Sequence, residues 1–336
     1  MTQLFATLLT SSAFALALSV SACAESETAD TETEISSAAS TGETAASAQD
    51  AGEDAEPAPQ AGALDAVIAS APQSAWRTVD ADNLLRITTT EGVVWVEMAE
   101  AFAPAHTARM RELARSDWFD FKVWHRVLDG FMAQGGGALD NPSVAAPTAP
   151  IQAEFTIRRD PAEIDVTELQ ERVVNPRADT SRVQAGYWNG FPAGTQASAA
   201  AAIMGDGRVS SWLLHCDGAA AMARTSDPNS GNAQFYIVRG SAEHLNAQYT
   251  VWGKVRDGLD VVYDLNEGTL GETPGFSPSF IEDISVASDL PESERATIEV
   301  MDTTSDAFGG YLDAVRTAGG ELPDICEIDV PVRVSN

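Results

Sequence analysis

The sequence predicts a mainly β fold, a closed antiparallel barrel capped at its two ends by α-helices, within a chain of 336 residues. Three observations carry that expectation. Short runs rich in Val, Ile, Thr and aromatic residues recur between Leu85 and Val286, bounded by Gly, Pro, Asn and Asp. One helical stretch lies early in that span and one lies late, and no internal repeat is present. Closing the sheet removes the edges that so many short strands would otherwise expose.

The segments before the barrel are of a different kind. Residues 4 to 22 are mostly Leu, Ala, Phe, Ser and Thr and end in Val20-Ser21-Ala22-Cys23. This reads as a signal peptide over 1–22 followed by a bacterial lipobox, with Cys23 as the lipidated first residue of the mature chain; cleavage elsewhere near Ala22 or Ala24 is the ordinary secretory alternative. Met1-Thr2-Gln3 lacks the usual basic residue. Either reading exports the chain to the cell envelope or periplasm, and the apolar run is too short and too rich in Ser and Thr for a membrane-spanning helix. From Ala24 to Ala63 there are ten acids, no Lys or Arg, no aromatic residue and one large aliphatic, Ile35. Such a stretch buries too little apolar surface to offset chain entropy, so 23–75 is expected to be a disordered acidic tether.

The folded part is expected over 76–290. Leu85–Thr90 and Val93–Met98 flank Glu91-Gly92 as a hairpin. Ala103-Pro104 then opens an amphipathic helix over Ala105–Arg115, with Ala105, Ala108, Met110 and Leu113 on its apolar side. Strands are expected at Phe121–Val127, Phe131–Gln134, Ala221–Ala223, Phe235–Val238, Thr250–Val255 and Phe280–Val286, with a second helix at Leu259–Leu265. Between Gly137 and Met222 lies a long insertion, about 138–221, with a charged patch at 156–177 and a Gly/Ala-rich stretch at 185–207. Residues 291–336 form a C-terminal extension, ending in the apolar run Ile325–Val334 and expected to pack on the domain.

A formal charge of -30 excludes a nucleic-acid partner, because phosphate contacts need clustered Lys and Arg. No His/Cys/Asp cluster has metal spacing, and the four histidines read as structural. Gly135-Gly136-Gly137 is no phosphate loop, since no Lys-Ser/Thr follows it. No cofactor is expected. With Cys23 lipidated, Cys216 and Cys326 remain as a possible disulfide, two unpaired thiols being the alternative.

The most informative stretch is Trp124-His125-Arg126-Val127-Leu128-Asp129-Gly130-Phe131-Met132-Ala133-Gln134-Gly135-Gly136-Gly137. At a strand period of two, Arg126 faces away from His125 and Val127, and Phe131-Met132 follows the Asp129-Gly130 turn. An Arg beside an apolar pocket suits an amide substrate. A second cluster, Met222 to Ile237, runs from a polar turn-rich loop into an apolar strand.

In order and content, from about Leu84 to Ile284, these segments resemble the cyclophilin family of peptidyl-prolyl cis-trans isomerases. The resemblance implies an eight-stranded barrel, the activity EC 5.2.1.8 and a separation between Gly137 and Met222 roughly twice the family's typical one. It implies that Arg126 is the catalytic donor, that Gln134 contacts Arg126 and the substrate backbone, and that His125 is a wall of the pocket. It further implies a proline socket of Phe131, Met132, Tyr236 and Leu245, with Gln234 as a polar contact and Ala223 and Arg224 on the strand that pairs with the residue before proline. Three positions depart from the better-known members. Tyr236 stands where they carry Phe, adding a hydroxyl that needs a partner if buried. His244 replaces Trp, and Tyr249 replaces His.

The chemistry needs no nucleophile, metal or proton acceptor. Rotation about an X-Pro amide crosses a barrier of ~20 kcal/mol, and catalysis requires only a surface that binds the twisted amide better than either planar isomer. In the twisted state the proline nitrogen regains a lone pair, for which a fixed guanidinium is a suitable donor. The expected function is isomerisation of proline-containing polypeptides during folding of exported proteins, on a chain held at a membrane by an N-terminal lipid. A non-catalytic proline-groove module docking one envelope partner is the alternative, and a secreted hydrolase lacks any recognisable nucleophile and base. Cys23→Ser is expected to release the protein from membranes without changing isomerase activity, because no groove residue precedes Leu84. Fractionation with peptide turnover checks both, and membrane recovery that persists removes the lipobox reading.

Overall fold

The computed structural model of the chain describes residues 61–144, 146–173, 182–316 and 320–335. The expected signal segment, Cys23 and the acidic stretch as far as residue 60 lie outside the described residues.

The fold is mainly β, built on one curled antiparallel sheet. Its strands run in the order Gly268–Thr269, Arg126–Leu128, Met132–Gly135, Phe235–Val238, Ala219–Met222, Val251–Asp257, Gly92–Met98, Leu84–Thr89, Phe280–Val286 and Lys122–Val123. Eight of these have three or more residues, and the first and last are two-residue stretches. An isolated bridge joins Val123 to Gly137. The Glu91-Gly92 hairpin forms because the Thr89 hydroxyl accepts both turn N–H groups at 3.1 Å.

Period-two alternation sorts the strand residues onto two faces. On the inner face Ile87, Val96, Val127, Ala133, Phe235, Ile237 and Trp252 share one buried core. Phe235 sits at its centre, with Phe119, Trp124 and Trp252 edge-on at 5.7, 5.4 and 5.9 Å. The helix Pro104–Arg115 adds Met110, Leu113 and Ala114 to this core, and Leu259–Asp264 adds Val262. The first helix has no side-chain cap of its own; Glu154 from the insertion accepts from the N–H groups of Ala105 and His106, both at 3.1 Å, placing a carboxylate at the helix N-terminus.

The insertion is folded. It forms a five-stranded antiparallel sheet in the order Ile157–Arg159, Val209–Leu213, Phe191–Thr195, Arg182–Trp188 and Thr167–Val173. Its central hairpin turns at Asn189-Gly190, both left-handed at φ 48° and 76°, between the paired residues Trp188 and Phe191. A Cβ at Gly190 would stand 2.8 Å from Val300 Cγ1. Arg159 is buried, its donors met by Ser211, Thr195, Ser198 and the Ile164 carbonyl.

The first and last described strands meet in a third sheet. Trp76–Thr78 pairs with Thr297–Met301, which pairs with Val332–Ser335. The expected tether boundary at 75 therefore moves: a helix at Ala61–Ser70 puts Leu64, Val67 and Ile68 into a second core with Phe308 and Leu312 of the helix Asp306–Val315. The i, i+3, i+4 spacing of those three side chains supplies the apolar face that acidic composition upstream lacks. Cys216 and Cys326 are joined by a disulfide in the same cluster, closing a loop of 110 residues in sequence separation. In the chain-entropy account such a loop contributes up to about 4–5 kcal/mol. Thiol counting on the denatured, unreduced protein is expected to find both cysteines unreactive, and Cys326→Ala is expected to lower stability toward that amount; two reactive thiols contradict the bridge.

Candidate active site

Register assembles the site. Arg126 stands opposite Gln134, Gln134 opposite Tyr236, and Tyr236 opposite Ala221. Residues directly opposed across antiparallel strands project to the same face, so these four form one row on the outside of the sheet. Met132, two residues from Gln134, shares that face, and its Sδ lies 3.8 Å from Arg126 Nη1. The Phe131 ring centroid is 5.8 Å from the Arg126 guanidinium carbon and 5.6 Å from the His244 ring. Among the described residues no carboxylate lies within ion-pair distance of Arg126.

Met132 and Tyr236 are buried and Phe131, Ala223, Leu245 and Tyr249 half-buried in one apolar cluster. Phe191, Ala193 and Leu213 of the insertion belong to it too, so the inserted sheet supports the socket from behind. Leu245 and His244 ride on the 3-10 turn Glu243–Leu245. Tyr249 meets Tyr236 edge-on at 6.1 Å and carries the Arg224 guanidinium 4.1 Å over its ring.

Beside the socket is an open cleft of about 280 Å³, lined by Gln134, Ala223, Arg224, Thr225, Asn232 and Gln234, with Ser143 and Val144 from the insertion. Gln134 Nε2 donates to Gln234 Oε1 at 3.1 Å, and Gln234 donates to the Pro142 carbonyl. Ala223 N–H donates to the Gln234 carbonyl at 2.9 Å, carrying the ladder past Met222. The Phe155 ring also lies against Arg224, its centroid 5.4 Å from the guanidinium carbon. The insertion thus reaches the groove rim through Pro142, Ser143, Val144 and Phe155, none of which carries a sequence signal.

His125 does not join the row. It precedes the strand Arg126–Leu128 and is buried, and burial pulls its ring below the usual histidine range while its approach to the Gln234 side chain works the other way. The Tyr236 hydroxyl has the partner its burial requires: His215 Nε2, at 3.0 Å. Sequence reasoning demanded that partner but had no means to find it 21 positions away.

These arrangements fit one protein family. The family model for the cyclophilin type peptidyl-prolyl cis-trans isomerase matches residues 84–286. The chain belongs to the cyclophilin family. It is a cyclophilin-type isomerase by that match and by curated relatives. A probable peptidyl-prolyl cis-trans isomerase of Brucella suis is 27% identical over 193 residues, covering 57% of this chain and 76% of that one. A peptidyl-prolyl cis-trans isomerase of Acinetobacter baylyi is 25% identical over 187 residues, 54% and 71% of the two chains. Among solved structures, the cyclophilin AquaCyp293 from Hirschia baltica is similar with a TM-score of 0.63 at 34% identity, over 77% of this chain and 93% of that one. That coverage exceeds the segment 84–286, so the likeness extends into residues outside the cyclophilin segment.

Glu243, Asp324 and Cys326 place donor atoms close together, but Cys326 is spent in the disulfide and offers no thiolate.

Full burial holds the His215 ring to about 4. The unfolded chain, with histidine near ~6.5, binds that proton first, so the stability from keeping His215 neutral is complete above that pH and is lost as pH falls from there toward 4. The difference is on the order of 3 kcal/mol. Urea unfolding of the wild type and of His215→Gln is expected to show a stability gap that narrows over that window; a constant gap contradicts the buried neutral ring.

Proposed function

We propose that Arg126 is the donor that drives isomerisation, with the proline ring seated on Phe131, Met132, Tyr236 and Leu245. The carrying observation is the placement of a guanidinium with no carboxylate partner among the described residues at the end of the row, against Met132 and Phe131. A paired guanidinium would have its donors occupied, whereas this one is open to a substrate lone pair. Burying a proline ring is worth a few kcal/mol and serves binding and orientation. Selectivity for the twisted amide rests on the Arg126 hydrogen bond, each ~1.4 kcal/mol of it giving a factor of ten. On this reading Gln134, next in the row, holds the substrate backbone, and the half-buried rim of Ala223 and Arg224 takes the residue before proline.

The same reading takes the curled sheet as a closed barrel, supported by the Val123–Gly137 bridge. It also takes the enzyme as exported and lipid-anchored through Cys23, acting on proline-containing chains folding in the cell envelope. The sequence 4–22 with its Val20-Ser21-Ala22-Cys23 ending supports this. No described helix is long and apolar enough to cross a membrane.

Arg126→Ala is expected to keep the fold and to lose one to several orders of magnitude in kcat/KM on an X-Pro peptide, and Arg126→Lys to remain poor because a point ammonium lacks the planar fork. Near-wild-type turnover in either variant removes Arg126 from the mechanism.

A further inference from the structure

His215 is fully buried, yet four of its polar groups bond to two separate parts of the socket. Its backbone N–H donates to Asn246 Oδ1 at 2.8 Å, and its ring Nδ1 lies 3.2 Å from the same oxygen. Its carbonyl accepts from the Ala242 N–H at 2.9 Å. Ala242 and Asn246 bracket the turn that carries His244 and Leu245, so one residue clamps both ends of that wall. Its remaining nitrogen, Nε2, meets the Tyr236 hydroxyl at the socket floor.

The proton positions follow from what each atom is able to do. A backbone N–H only donates, so the Asn246 atom facing it is the amide oxygen, and that oxygen only accepts. The ring must therefore carry its proton on Nδ1. Nε2 is then a bare lone pair, and the Tyr236 hydroxyl must donate to it. The floor hydroxyl is thereby turned away from a proline ring and satisfied.

Resting on the reading of Phe131, Met132, Tyr236 and Leu245 as the proline socket, we propose that His215 is a positioning residue that fixes the floor and the Leu245 wall of that socket relative to each other through a neutral, Nδ1-protonated imidazole. The adjoining Cys216 ties the same backbone to the C-terminal extension through its disulfide. Burial keeps the ring neutral down to about pH 4.

The test uses the full chain. His215→Phe deprives Tyr236 of its acceptor and leaves a buried hydroxyl without a partner, which costs more than never having had the pair. The expected result is a rise of about tenfold in KM for an X-Pro peptide, with kcat within about threefold, unlike the kcat loss expected of Arg126 variants. Adding Tyr236→Phe removes the orphaned hydroxyl, and the double variant is expected to recover most of the lost affinity. A double variant no better than His215→Phe overturns the proposal, because a merely space-filling histidine would not be rescued at a second site. Should His215→Phe not fold, ring nitrogen shifts of the wild-type protein decide: a neutral Nδ1–H tautomer at pH 7 supports the clamp, and an Nε2–H tautomer or an imidazolium overturns it. That reading involves no turnover, and the same signal is expected in Arg126→Ala, so failure of the clamp and failure of the catalytic assignment are separable.

Discussion

The Glu97 carboxylate is the point on which the arrangement turns. It accepts from both terminal nitrogens of Arg77 at 2.7 and 2.9 Å and from Arg256 Nε at 2.7 Å, with its side chain 7% exposed. Arg77 and Arg256 also donate to the Asn189 and Gly190 carbonyls, at the hairpin tip of the insertion. One carboxylate therefore joins a strand of the curled sheet, its neighbour, the N-terminal strand and the inserted sheet. A buried group of this kind is weak evidence of net stability, since apolar replacements are often neutral, whereas removing one partner from it costs 3–5 kcal/mol by leaving a charge unpaired. Its use here is to set where the insertion docks.

That docking reaches the active face. Arg256 lies 4.5 Å over the Phe191 ring, Phe191 stacks with Trp188 at 5.3 Å, and Trp188 meets Phe102 at 5.0 Å. Phe191 and Phe102 belong to the same apolar cluster as Met132 and Tyr236. The socket is thus the outer skin of a core whose backing is the insertion. A surface that must prefer a twisted amide over a planar one gains from walls that do not move, because selectivity is lost when the walls follow the substrate. The disulfide and the Glu154 carboxylate at the helix N-terminus fix further parts of the same neighbourhood. Hydrogen bonds from His106 and the backbone outweigh the burial of Glu154 and hold it below the usual carboxylate range.

Legibility in the sequence followed the range of the interactions. The Glu91-Gly92 hairpin, the Pro104 helix and the strand Phe235–Val238 depend on neighbours within a few residues and were readable to within a residue or two. Arg126 on the same face as Gln134 and Tyr236 follows from pairing register, which alternation makes readable once the strands are known. The inserted sheet was missed although Asn189-Gly190 between Trp188 and Phe191 is a strong short hairpin signal, masked by the Gly/Ala content on either side. The helix Ala61–Ser70 was hidden because its apolar face has meaning only against Phe308 and Leu312, more than two hundred residues away. The partner of the Tyr236 hydroxyl is of the same kind: the demand is local, the supply comes from across the sheet.

The most direct test of the account is the cis–trans exchange rate of a short X-Pro peptide, read by exchange spectroscopy at equilibrium with and without substoichiometric full-length protein. The account predicts exchange faster than the spontaneous tens of seconds by orders of magnitude, with the isomer ratio unchanged. A peptide that binds in the groove while its exchange rate stays at the spontaneous value would contradict it.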